Sequence, residues 1–214
     1  MSQPTSEPAD RLFTAAAELR HLVDLFTDRA LDDELLEDVS EVARGLSARL
    51  ARAPRWDRGA LLAEGLKSVE SEETRRKGFP YRAVAGPANP SGIPMALHFG
   101  EGMVTTEVTL QSMHSGAPGR GHGGVLAGIL DEFAGAAPQL VGTMAATARL
   151  TVDYRAPIPL GEPLQLRVWV HEHEGEKIFV RGDARRDGDL IAEVEALFIE
   201  IDYGAIDTSG AARH

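Results

Sequence analysis

The stretch GGVLAGILDEFAGAAPQL, residues 123–140, is apolar nearly all round and too long to be a single strand. A helix of this kind buries every face, so the rest of the chain must surround it. What lies on either side is strand-like. Short alternating runs appear at Met95–Phe99, Met103–Leu110, Ala146–Tyr154, Leu164–Val170, Lys177–Ala184 and Leu190–Ile201. The last three are separated by the short polar breaks HEHEGE and RRDG, the spacing of an antiparallel meander. Two strands, an apolar helix and four more strands predict an α+β layer in which one antiparallel sheet wraps a central helix.

Ahead of this core, Leu12, Phe13, Ala16, Leu19, Leu22, Val23 and Phe26 recur at spacings of three and four, and Leu35, Val39, Val42, Leu46 and Leu50 do so after a turn-like Thr27–Leu31. These predict a helical pair between Asp10 and about Ala53, expected to cover part of a dimer or of a substrate tunnel. The segment Pro54–Pro94 mixes charge, Gly and Pro without a sustained period and reads as a connector, with a short helix near 58–70. The expected organisation is therefore a flexible tail over 1–9, a helical extension and connector over 10–94, the main domain over 95–203 and a second flexible tail over 204–214.

Composition removes several classes of function. With no cysteine, the chain makes no disulfide, thiolate nucleophile or thiolate metal site, which fits a cytoplasmic location. Acidic residues outnumber basic ones 33 to 22, for a net charge of −11, a field that repels nucleic acid. No run reaches the roughly 18 apolar residues of a membrane span, and the acidic, proline-bearing N-terminus is unlike a secretory signal. His171 and His173 lack an evident third ligand, so no metal site is expected, and the absence of G-x-S-x-G leaves a serine hydrolase without its nucleophile elbow. No cofactor is expected either.

Chemistry concentrates in HSGAPGRGHGGVLAGILDEFAG, residues 114–135. Gly121, Gly123 and Gly124 flank His122 and lead straight into the apolar helix. Uncrowded backbone N–H groups at a helix start form an anion site, and the Gly123 N–H is placed to hold a developing oxyanion. A glycine-rich turn with His122 as a packing residue or cap explains the same spacing. Asp131 sits among Leu126, Ile129, Leu130 and Phe133, where an unpaired carboxylate is costly. Glu132, about 100° further round the helix, competes for that role, with Asp131 then paired to an arginine. Eight residues separate Gly123 from Asp131, about 12 Å along a helix axis. One reacting carbon cannot touch both, so the two groups must come from different copies of the chain, as a two-fold dimer supplies.

The run His122-Gly123-Gly124 followed by Asp131 resembles the HGG…D signature of acyl-CoA thioesterases of the hotdog superfamily, in the group that includes phenylacetate-pathway and THEM-type enzymes. TARLTVDYRAPIPLGEPL, residues 147–164, is similar to the strand that follows the helix in the same group. The resemblance spans roughly 95–203. It implies a hotdog fold, a homodimer or tetramer, and hydrolysis of an acyl-CoA to free acid and CoA. Carried over, Asp131 is the nucleophile or the general base, Gly123 donates the oxyanion hydrogen bond beside Gly124, His122 shapes the loop, and Thr147 orients the attacking water. Several relatives carry Asn six residues before the histidine; here that residue is Gly116, so a side-chain donor is missing. Arg120, Arg155 and Arg149 are the nearest basic candidates for the CoA phosphates, with Asp153 for a ribose or pantetheine; for Arg149 a surface ion pair is the favoured reading. An enoyl-CoA hydratase and a non-catalytic acyl-CoA sensor that signals through the N-terminal helices are the competing readings.

Overall fold

The computed structural model describes residues 8–57 and 80–201, so the short helix expected near 58–70 and the tail over 204–214 lie outside the described residues. Helix α1 (Pro8–Asp28) starts two residues earlier than the apolar period indicates, and α2 (Asp33–Leu50) follows. The break between them is set by Asp32, whose carboxylate accepts the Leu35 N–H at 2.9 Å as an N-cap. The core then runs β1 (His98–Gly100), β2 (Met103–Thr109), α3 (Gly123–Ala134), β3 (Ala145–Tyr154), β4 (Pro163–Glu174), β5 (Lys177–Arg186) and β6 (Asp189–Glu200).

All six strands form one antiparallel sheet in the order β1-β2-β4-β5-β6-β3. Turn chemistry fixes the register. Glu101-Gly102 (φ 52° and 74°) joins β1 to β2, and Asp187-Gly188 (φ 50° and 92°) joins β5 to β6. Positive φ at both central positions is the two-residue hairpin whose twist matches that of its strands. Val104, Val108, Leu164, Leu166, Val168, Ile178, Val180, Val194 and Phe198 line the inner face and enclose Leu126, Ile129, Leu130 and Phe133 of α3. The expected wrapped helix is thus observed. It is shorter than expected: Gly135 caps it, and Ala137–Val141 continues as a 3-10 turn with Pro138 near its start.

Two expectations about strands are corrected. The first strand is only His98–Gly100 rather than Met95–Phe99, and the preceding chain is tied to β2 by the Thr106 hydroxyl, which donates to the Ala96 carbonyl at 2.7 Å. The polar HEHE run is not a break but the end of β4, carried there by a bulge between Val170 and Glu172. The N-terminal helices form as expected, yet they do not bury one another. α1 rests on the 3-10 turn Ser112–His114, where Asp24 accepts the Met113 N–H at 3.1 Å and Asp28 accepts the Ser112 hydroxyl at 2.8 Å. No residue of α2 is buried.

Candidate active site

The loop before α3 is a closed structure. Ser115 and Gly121 form an isolated bridge, Gly116 N–H donates to the Arg120 carbonyl at 2.9 Å, and Arg120 N–H donates to Ala117 at 3.0 Å. Pro118 and Gly119 (φ 71°) occupy the central positions of that inner turn, the residues a type II turn selects. Gly121 is packed so closely that a Cβ there would lie 2.7 Å from Ile158 Cγ2 and 2.9 Å from Leu110 Cδ2. Its N–H donates to the Ile158 carbonyl at 2.9 Å. The loop is therefore sewn to both flanking segments, and its end fixes where α3 begins.

His122 is the N-cap of α3. Its Nδ1 accepts the Gly124 N–H at 3.0 Å, and its own N–H donates to the His114 carbonyl at 2.9 Å. The cap reading of His122 is thus the observed geometry, and Gly124 has its N–H engaged rather than facing a ligand. Gly123 differs. Its N–H has no acceptor among the described residues, while its carbonyl accepts the Tyr154 hydroxyl at 2.6 Å. A Cβ on Gly123 would stand 3.2 Å from Tyr154 Cζ and Oη, which only glycine avoids without movement.

Further along the helix, Asp131 Oδ1 accepts the Thr147 hydroxyl at 2.9 Å. A bulge between Thr147 and Arg149 makes this possible. Leu150 and Val152 pack on the core; by strict alternation Thr147 would then point away from α3. The extra residue changes the phase, so Ala145 and Thr147 face the helix on one side of the bulge and Leu150, Val152 and Tyr154 on the other. Strand β3 thereby touches α3 at both ends of the motif.

The two acids of α3 are sorted opposite to one of the expectations. Glu132, not Asp131, has the arginine: Arg82 Nη1 lies 2.6 Å from Glu132 Oε1. Burial holds the Glu132 carboxyl above the ordinary carboxylate range, Arg82 draws it back and the Asp131 charge adds to the rise. Asp131 is only part-buried and has a hydroxyl, not a cation, as its partner. Arg82 and Tyr154 are residues the sequence reading did not single out. Arg82 sits in the connector with no pattern to mark it, and Tyr154 closes an alternating run as an ordinary strand aromatic.

A solved crystal structure of a thioesterase superfamily protein is 32% identical to this chain, covers 92% of it and 97% of its own length, and superposes with a TM-score of 0.71. The chain belongs to the thioesterase superfamily. The sequence pattern of that superfamily matches residues 119–193, which hold the HGG loop end, α3 and the strands to β6. The fold is accordingly the hotdog arrangement of sheet around helix. Among named relatives, the acyl-coenzyme A thioesterase THEM4 of Xenopus laevis is 40% identical over 88 residues, and that of Mus musculus is 36% identical over 89. These matches cover 40% and 41% of this chain and 40% and 38% of the relatives, so the chain spans about two fifths of their length.

Not every residue nominated in this thioesterase-superfamily chain converges on Asp131 and Gly123. Gly116 packs against His122, where a Cβ would lie 3.0 Å from its Cα, so a side chain at this position would require His122 to give by a few tenths of an ångström. Arg120 is exposed at the loop tip with no ion-pair partner among the described residues. Arg155 is committed to Glu193 at 2.8 Å and lies 3.6 Å from Asp153. This cluster is on the outer face of the sheet, because Asp153 alternates with the inward Val152 and Tyr154. Arg149 shares that outer face, beside Thr151 and Glu195. His173, set aside as a metal ligand, has its Nε2 at 3.2 Å from Glu200 Oε1.

Proposed function

We propose that the chain hydrolyses an acyl-CoA thioester. The observation that carries this is the 2.9 Å bond from the Thr147 hydroxyl of β3 to Asp131, on the helix whose first N–H, at Gly123, has no acceptor among the described residues. In the proposed reaction a water held by Asp131 and the Thr147 hydroxyl attacks the thioester carbonyl carbon and gives its proton to the carboxylate. The carbonyl oxygen becomes an oxyanion bound by Gly123 N–H at the positive end of α3. Collapse breaks the C–S bond, and the departing CoA thiolate takes the proton back from Asp131, leaving the free acid. A direct attack by Asp131, with an acyl-aspartate intermediate then opened by water, uses the same two groups.

About 12 Å of helix separates Gly123 from Asp131, so each reaction centre combines Gly123 of one copy with Asp131 of another. Two features support a homodimer. One long edge of β3, from Ala145 to Tyr154, has no strand partner among the described residues, and an unpaired edge of that length is normally covered. Val125, Ala127 and Gly128, on a helix otherwise in the core, stay part-exposed in the single chain. The relatives named as acyl-coenzyme A thioesterases support the substrate class.

The test is release of free CoA, detected with a thiol reagent, from short, medium, long and aromatic acyl-CoAs by wild type and Asp131→Asn. Asparagine keeps the Thr147 acceptor, so the variant stays folded and turnover falls by about 10²–10⁴, the usual worth of a positioned base. Normal turnover by the folded variant sinks the assignment. No turnover by wild type on any substrate, with binding or enoyl-CoA hydration instead, moves it to the sensor or hydratase reading.

A further inference from the structure

Helix α2 is an 18-residue amphipathic helix with its apolar stripe in solvent. Leu35, Val39, Val42, Leu46 and Leu50 advance by four and three along one face; Val42 is 60% exposed and Leu50 69%. Helices of this length owe most of their stability to a packed apolar face, and nothing in the described chain packs this one. The charges beside the stripe are ordered. One residue before each apolar position runs a flank of Glu34, Asp38, Glu41, Gly45 and Arg49, with Arg52 just beyond the helix end. That flank is acidic in its first half and basic in its second. None of its charged residues has an ion-pair partner among the described residues.

We infer that α2 is an interface on which a second copy of this chain docks, its α2 running antiparallel about a two-fold axis near Val42 and Ala43. Reversing the helix on itself about that point brings Leu35 to the partner's Leu50 and Val39 to the partner's Leu46. The same operation sets Asp38 beside the partner's Arg49 and Glu34 beside the partner's Arg52, and each pair occurs twice by symmetry. A parallel pair would set this flank against the uncharged one that follows each apolar position, Leu36, Ser40, Ala43 and Ser47, and would form none of these ion pairs; flanking charges of this kind choose partner and direction in paired helices. Gly45 costs about 1 kcal/mol relative to Ala inside a helix. With nothing within 4 Å of its Cβ position, it leaves the flank open where the two helices approach. A foreign partner explains the apolar stripe but not why the charge order complements its own reverse. This surface is separate from Asp131 and Gly123 and does not depend on the chemistry proposed there.

The absence of native cysteine makes the test direct. In the purified full chain, Val42→Cys is expected to link to its own copy through a short bis-maleimide. Leu35→Cys and Leu50→Cys each link poorly alone, and their mixture, after subunit exchange, gives at least tenfold more linked dimer. Arg44→Cys, on the opposite face, is the collision control. Asp38→Arg should reduce linking at Val42→Cys by a similar factor, and adding Arg49→Asp should restore it. No linking at residue 42 in the purified chain overturns the inference, leaving another segment or a foreign protein as the cover. So do linking at 44 equal to that at 42, and self-linking of Leu35→Cys, which means a parallel pair.

Discussion

Replacing Arg82 with Met tests whether the connector is bound to the reaction helix by electrostatics. Met keeps much of the stem volume and removes the group 2.6 Å from Glu132 Oε1. Glu132 stays in place with its side chain 19% exposed. A charge-assisted bond of this length is worth roughly 1.5–3 kcal/mol when half-removed. Because the Arg82 side chain is itself 36% exposed, screening favours the lower part of that range, about 2 kcal/mol at pH 8. Burial already holds Glu132 above its ordinary value, with Arg82 opposing the rise. A carboxyl raised on folding contributes stability that is present below its unfolded pKa, about 4.3, and is lost as pH rises through the folded value. Without Arg82 the folded value climbs further, so more stability is lost on the alkaline side, while at pH 4 the carboxyl is largely protonated in both states. Urea unfolding of wild type and Arg82→Met at pH 4 and pH 8 should give a difference of about 2 kcal/mol at pH 8 that shrinks below about 1 kcal/mol at pH 4. Adding Glu132→Gln should recover most of the loss at pH 8. A difference equal at the two pH values, or larger at pH 4, refutes the reasoning.

Other outcomes follow from the same contacts. Tyr154→Phe removes the donor to the Gly123 carbonyl and should lower kcat for acyl-CoA several-fold with KM within about twofold and unchanged melting temperature; a pure KM effect would show that the hydroxyl binds substrate instead of holding the helix start. Thr147→Val removes the donor to Asp131 on an exposed strand position, so stability should change by under about 1 kcal/mol while turnover falls about tenfold; equal turnover would free Thr147 from the site. Asp183, 6% exposed, takes two bonds from Arg167 at 3.0 and 2.5 Å. Asp183→Asn should cost about 2 kcal/mol in urea unfolding, with catalysis in the folded fraction intact because the pair lies on the outer face.

Local chemistry made much of this protein legible without coordinates. The Asp187-Gly188 turn, the alternation along β4 to β6 and the all-round apolar helix each depend on neighbours a few residues apart, and the chain alone specifies them. The HGG…D spacing likewise placed a helix start and a carboxylate on one element. What the tertiary structure decided was the pairing across the fold. Which of Asp131 and Glu132 receives the arginine depends on a connector residue 50 positions away. Whether Thr147 faces Asp131 depends on one extra residue in β3, since a phase change of one position sends a side chain to the opposite face of a sheet. Tyr154 reaches Gly123 because β3 runs back along α3. Sequence periodicity reports which residues are apolar and how often they recur; it carries no information on the register that brings distant elements together, and the contacts around Asp131 and Gly123 are set by register.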